Sequence, residues 1–154
     1  MKIVKIPSNE IREFETHNNY INISINQDCN YYLVNDPKTY EVVESMPDIG
    51  GIVDGSYESV IKYAVLMSNE VLSNQVMVLE GKLAESDYKI IKMYEYNLVG
   101  MSTDYDINEL HLERQTLRSQ INELRSKIKP EKTWDELSDI ITYNHEIGEE
   151  EVDV

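Results

Sequence analysis

The chain has 154 residues and 41% hydrophobic content, enough to bury a core as one domain without help from disulfides or metal. Its formal net charge of -15, from 29 Asp and Glu against 14 Lys and Arg, disfavours nucleic-acid phosphates and anionic membrane surfaces and suits a basic protein partner. The aromatic residues are 11 Tyr against one Trp and one Phe, so the large rings bring hydroxyls that must meet water or a partner.

Residues 1–55 read as a β-rich head. Lys2 to Ile6 is a short apolar strand stopped by Pro7, and Tyr20 to Ile25 alternates strictly, placing Ile21, Ile23 and Ile25 on one face. Tyr31 to Val34 and Tyr40 to Val43 flank the turn-forming run Asn35-Asp36-Pro37-Lys38-Thr39, which predicts a hairpin. Met46 to Gly55, with Pro47 and three of the six glycines, reads as a linker. It is not a phosphate loop: no Lys follows at the required spacing, and Asp48 and Asp54 would repel phosphate.

From Ser56 the period becomes helical. Ser56, with Glu58 in the first turn and Ser59 three residues on, opens a long helix spanning 56–85 and interrupted only by Gly81. Val65, Asn69, Leu72, Val76, Leu79 and Leu83 fall at alternating spacings of three and four, the pattern of a coiled-coil seam in which Asn69 would specify register or oligomer number. Ala64, Met67, Val71 and Val78 widen that stripe, as in a helix packed on a sheet or a helical neighbour. Both readings stay open.

Residues 86–129 predict a helical hairpin. Ser86 is expected to cap a helix from Asp87 to Leu98, with Gly100 as its left-handed stop. After a turn over Met101 to Tyr105, Asp106 and Glu109 form an Asp variant of the capping box. The helix they open carries Ile107, Leu110, Leu117, Ile121, Leu124 and Ile128 at heptad spacing, with Arg114 as the charged insertion. The short connection makes the two helices antiparallel neighbours, with Ile91, Tyr94 and Leu98 expected against the first turns of the longer one. From Leu117 onward the longer helix outruns its partner. The seam formed by Leu117, Ile121, Leu124 and Ile128 must then take either the preceding long helix or a second protein. Pro130 ends this helix, and residues 130–154 hold a short helix capped by Thr133 and an acidic tail. Trp134 is the anchor, docking on the core or on a partner.

Chemistry is sparse. Cys29 is the only cysteine, and His17, His111 and His145 fall in separate elements, so neither a disulfide nor a metal framework is expected, and no cofactor is implied. No nucleophile elbow, phosphate loop or dinucleotide turn occurs, and an enzyme is not expected. The amino-terminal residues lack a signal-peptide pattern and no run is long enough to span a bilayer, which predicts a soluble protein of a reducing cytoplasm with no membrane partner. The fold class expected is α+β: a small antiparallel β-rich region, then a long helix and a helical hairpin.

One resemblance adds to this reading. Leu83 to Lys92, Tyr105-Asp106-Ile107, Glu113 to Arg118 and Ile121-Asn122-Glu123-Leu124 together resemble a module near the carboxyl ends of phage minor tail, baseplate and tail-fibre assembly proteins. The shared pattern is a Ser-Asp-Tyr opening, a Lys-rich helix, an acidic-aromatic turn, and an Arg-Gln-x-x-Arg helix ending in Ile-Asn-x-Leu. The resemblance implies a phage or prophage tail structural or assembly protein. Its partners would be other tail proteins or a second copy of itself, with no direct nucleic acid, in the host bacterial cytoplasm or the virion tail. Arg114 and Arg118, four apart on one helix face, would hold Asp104 and Asp106 as a hairpin staple, or a partner carboxylate. The competing expectation from charge alone is an acidic regulatory or anti-defence protein that mimics nucleic acid.

Overall fold

The computed structural model describes residues 1–25, 28–47 and 55–141; most of the Gly-rich linker and the acidic tail, with His145, lie outside these residues. The chain is α+β and divides into two units, residues 1–69 with 129–154 and residues 70–128.

The first unit is built on a four-stranded antiparallel sheet in the order β2 (Ile21–Ile25), β3 (Cys29–Val34), β1 (Lys2–Pro7), β4 (Glu41–Val43). Both faces are covered. Ile3, Ile21, Ile23, Tyr31 and Leu33 pack on one side with Val60, Ala64 and Val65 of α2 (Tyr57–Leu98) and Leu137 of α4 (Trp134–Ile141). On the other side Val4, Ile6, Tyr32 and Val34 pack with Phe14 of α1 (Ile11–His17). Every residue of β3 is therefore buried.

Two sequence expectations are corrected in this unit. β3 and β4 do not form a hairpin: β1 lies between them, pairing Ile3 with Leu33 on one side and with Val43 on the other. The turn chemistry over 35–40 is present, with Asp36 accepting from the Lys38 amide at 3.0 Å and Lys38 at φ 51°. Turn residues fix where a chain reverses, not which strand it meets; β1, apolar on both faces, takes the central place. The second correction is α1, which the β-rich reading of residues 1–55 lacked.

Tyr32 is the polar element of the Phe14 cluster. Its hydroxyl donates to Glu15 Oε2 at 2.6 Å and accepts from Asn30 Nδ2 at 2.8 Å. Burial, then the bond to Glu15, raises the phenol above its ordinary pKa of 10.0, and burial raises Tyr31 as well. A phenol held protonated in the fold contributes fully below pH 10 and loses that contribution as pH rises beyond it, because the unfolded chain ionises first. Tyr32→Phe is expected to flatten the fall in urea-unfolding stability above pH 10; the raised Tyr31 phenol acts in the same direction and the lowered Lys132 ammonium in the opposite one.

The segment after residue 128 is fastened locally. Asn69 Nδ2 donates to the Lys129 carbonyl at 2.8 Å while its Oδ1 accepts from the Lys129 amide at 3.3 Å. The Lys132 ammonium, in a buried residue, donates to the fully buried Ser68 hydroxyl, and burial lowers its pKa. Thr133 and Glu136 form a reciprocal capping box at the start of α4, with Glu136 accepting from the Thr133 amide at 3.1 Å and Thr133 Oγ1 from the Glu136 amide at 3.3 Å. Bonding to Lys129 Nζ, then to that amide, holds the Glu136 carboxyl below its usual range. Trp134 lies half-buried against the sheet's α2-covered core.

The second unit contains residues 70–98 of α2 and the antiparallel α3 (Ile107–Ser126). The expected break at Ser86 does not exist: α2 runs 42 residues without interruption. Ser86 is not a cap, because its hydroxyl donates back to the Leu83 carbonyl at 2.6 Å inside the helix. The stop at Gly100 (φ 74°) and the cap at Asp106, which accepts from the Asn108 and Glu109 amides at 2.9 and 3.3 Å, are as the sequence reads.

Candidate protein-binding interface

The predicted seam is largely used within the chain. Val65 belongs to the core of the first unit, and Asn69, rather than meeting another Asn across an oligomer, holds the Lys129 backbone. In the second unit Leu72 (2% exposed), Val76 and Ile121 are buried, while Leu79, Leu83, Leu117 and Leu124 are half-buried. Ile128 alone of the ten reaches exposure, at 36%. Ion pairs between Arg125 and Glu80 and between Arg114 and Asp87 fix α3 antiparallel to α2, bringing Ile121 level with Leu79 to Leu83.

Arg114 is a staple, but not to the acidic turn. Its guanidinium reaches Asp87 Oδ1 at 2.7 Å, donates to the Leu83 carbonyl at 3.3 Å and bonds the Ser86 hydroxyl. Asp106 is occupied as the α3 cap, and Asp104 lines a small hollow with Lys89 and Tyr105. Arg118 is exposed and forms no ion pair among the described residues. The physical reason is register: one turn separates Arg114 from Arg118, and only Arg114 lies opposite the Ser86-Asp87 step. Arg114→Ala is expected to lower stability in urea unfolding by roughly 1–2 kcal/mol, Asp87 being partly exposed, and Arg118→Ala by less than about 0.5 kcal/mol.

A second correction changes which surface is free. Ile91, Tyr94 and Leu98 do not pack on α3 as their spacing suggests; they are 64%, 67% and 67% exposed. Tyr88 and Met77 join them at 62% and 67%. Toward α3 lie instead the residues that continue the inner seam past Leu83: Ser86, Ile90 and Met93, all half-buried. The inner seam thus steps 72, 76, 79, 83, 86, 90, 93. Five residues further on a second row begins and steps 77, 81, 84, 88, 91, 95, 98: Met77, Gly81, Ala84, Tyr88, Ile91, Glu95 and Leu98, every one exposed. Five residues are roughly 140° around a helix, so α2 carries two seams on well-separated faces. The sequence held this signal, because the second row has the same three-and-four spacing.

Charge around the outer row is uneven. Four cations of the hairpin are engaged within it: Arg114 and Arg125 pair across it, Lys89 sits 5.5 Å from the Tyr105 ring centre, and Lys92 lies 5.3 Å from Tyr96 and 5.8 Å from Tyr105. Lys127 pairs with Glu123 on α3, while Lys82 and Arg118 are exposed and form no ion pair among the described residues. Glu85 and Glu95 form no ion pair among the described residues. Two open grooves flank the helix pair. One of about 610 Å³ lies between Glu85 and Glu113, and one of about 440 Å³ is floored by Val78, Leu79 and Leu124.

Among the described residues no group of three or more His, Cys, Asp or Glu side chains is placed to hold a metal ion, and no helix is long and apolar enough to cross a membrane. Comparison with protein-family models, with curated proteins and with solved structures finds no match to this chain.

Proposed function

We propose that this chain is a phage or prophage tail structural or assembly protein that acts by binding another protein through its 70–128 hairpin. The protein-binding part rests on one observation, the exposed apolar row of α2, whose Met77, Tyr88, Ile91 and Leu98 are each more than 60% exposed. Isolated apolar residues on a surface need no explanation, but four large ones aligned on one helix face, spaced by Gly81 and Ala84 and interrupted only by Glu95, do. The tail assignment rests on the resemblance alone. Its Ser-Asp-Tyr opening and its Arg-Gln-x-x-Arg segment are the two places that meet in the Arg114 clamp on Ser86 and Asp87, which gives that pattern a physical role in closing the hairpin.

A photo-crosslinking amino acid placed separately at Ile91 and at Leu112, the latter 67% exposed on α3, tests the reading in cells assembling virions. Adducts identified by mass spectrometry as tail, baseplate or fibre proteins are expected. Adducts to a nuclease or polymerase would replace this reading with nucleic-acid mimicry.

A further inference from the structure

We infer that the outer row of α2 is the seat of a partner helix carrying apolar residues at heptad spacing flanked by Lys and Arg. This inference rests on the protein-binding reading and specifies its face and its ligand.

The spacing is the first argument. A helix that must present one face to one neighbour needs one apolar stripe, and α2 already has one against α3. A second stripe that keeps the 3.5-residue period over about three heptads, some 32 Å of helix, matches the contact line of another helix rather than a loop or a strand. Its middle is made of small residues. Ala84 is exposed, and at Gly81 an added methyl group would meet nothing within 4 Å, so a second backbone can approach there. Tyr88, Ile91 and Leu98 then supply large side chains beyond that saddle.

Charge chooses the partner. Glu85 and Glu95 border or enter the row without a cation, while the nearby Lys89 and Lys92 lie over Tyr rings. A second copy of the chain would bring another -15 of net charge and a second Glu95 to the same seam. A basic-flanked helix brings the opposite charge to both carboxylates.

The full chain would be titrated calorimetrically with three synthetic peptides of about four heptads. One has Leu and Ile at the seam positions and Lys and Arg beside them, one carries Glu and Asp in place of those cations, and one is a scramble of the basic peptide. The basic peptide is expected to bind, more weakly as salt rises, with the acidic and scrambled peptides at least about tenfold weaker. Ile91→Glu and Tyr88→Ala are each expected to weaken the basic peptide about tenfold with circular dichroism unchanged, whereas Leu112→Glu leaves it unchanged. Ile91→Glu is decisive because it adds a negative charge: attraction by charge alone would strengthen. Equal binding of the scramble, no loss with Ile91→Glu, or a dimer of the chain that Ile91→Glu converts to monomer would each overturn the inference. Crosslinks to tail proteins from Leu112 only would leave the protein-binding reading standing and remove this one. Peptide binding as described, with no tail adduct from either position, would keep the helix seat and remove the tail assignment.

Discussion

Phe14→Ala is expected to destabilise the first unit by about 3–5 kcal/mol, a large part of the total stability of a domain this size. Phe14 is 1% exposed, and its ring lies 4.6 Å from that of Tyr32, 5.0 Å edge-on from Tyr40 and 5.8 Å from Tyr20. It supplies the sheet-facing contact of α1, a helix of only seven residues that is too short to be stable without tertiary packing. Deleting the ring removes buried area, leaves a cavity among three Tyr and loosens the α1 end, where Asn18 Nδ2 bonds the Phe14 carbonyl at 2.9 Å and the Tyr40 hydroxyl at 3.2 Å. Phe14→Leu keeps most of the volume and should cost markedly less. Urea unfolding of the two variants measures the difference; near-wild-type stability of the Ala variant would mean that α1 is not holding this face of the sheet.

What the sequence made legible was what is decided locally. Ser56, Asp106, Gly100 and Thr133 mark helix ends through bonds within a few residues, and the structure places ends at each. The strands of the amino-terminal unit are visible in their apolar runs, but their pairing depends on β3 and β4 coming back to opposite edges of β1, which no local signal records. α1 was hidden because its seven residues, about two turns, offer only the Ile11 to Phe14 spacing. Ser86 misled because a residue that caps well also tolerates a helix interior when its hydroxyl can bond the preceding turn, as it does at the Leu83 carbonyl. The seam was legible and its occupant was not. Spacing says that a face is wanted by a helix, and α2 carries two such rows, the inner one apolar but for Ser86 and the outer one with Met77, Tyr88, Ile91 and Leu98; only the fold shows that α3 takes the first and leaves the second.

Ile121→Ala bears on that division directly and is expected to cost about 2–5 kcal/mol. The buried apolar side chains between residues 70 and 128 are Leu72, Val76, Leu110 and Ile121, a single layer between two helices, so no second layer compensates for the loss of one. The partner of Ile121 belongs to the same chain, and the cost should therefore be independent of protein concentration, with amide exchange rising first across 107–126. A seam shared between chains would instead give a melting temperature that climbs with concentration. Ile91→Glu supplies the opposite pattern, leaving helicity and melting unchanged because its side chain is already 64% exposed. Together the two substitutions separate the face that builds the hairpin from the face that is left to bind. If Ile121→Ala proves mild and Ile91→Glu melts the hairpin, the two seams have exchanged roles, and the binding surface must be sought on the α3 side of α2.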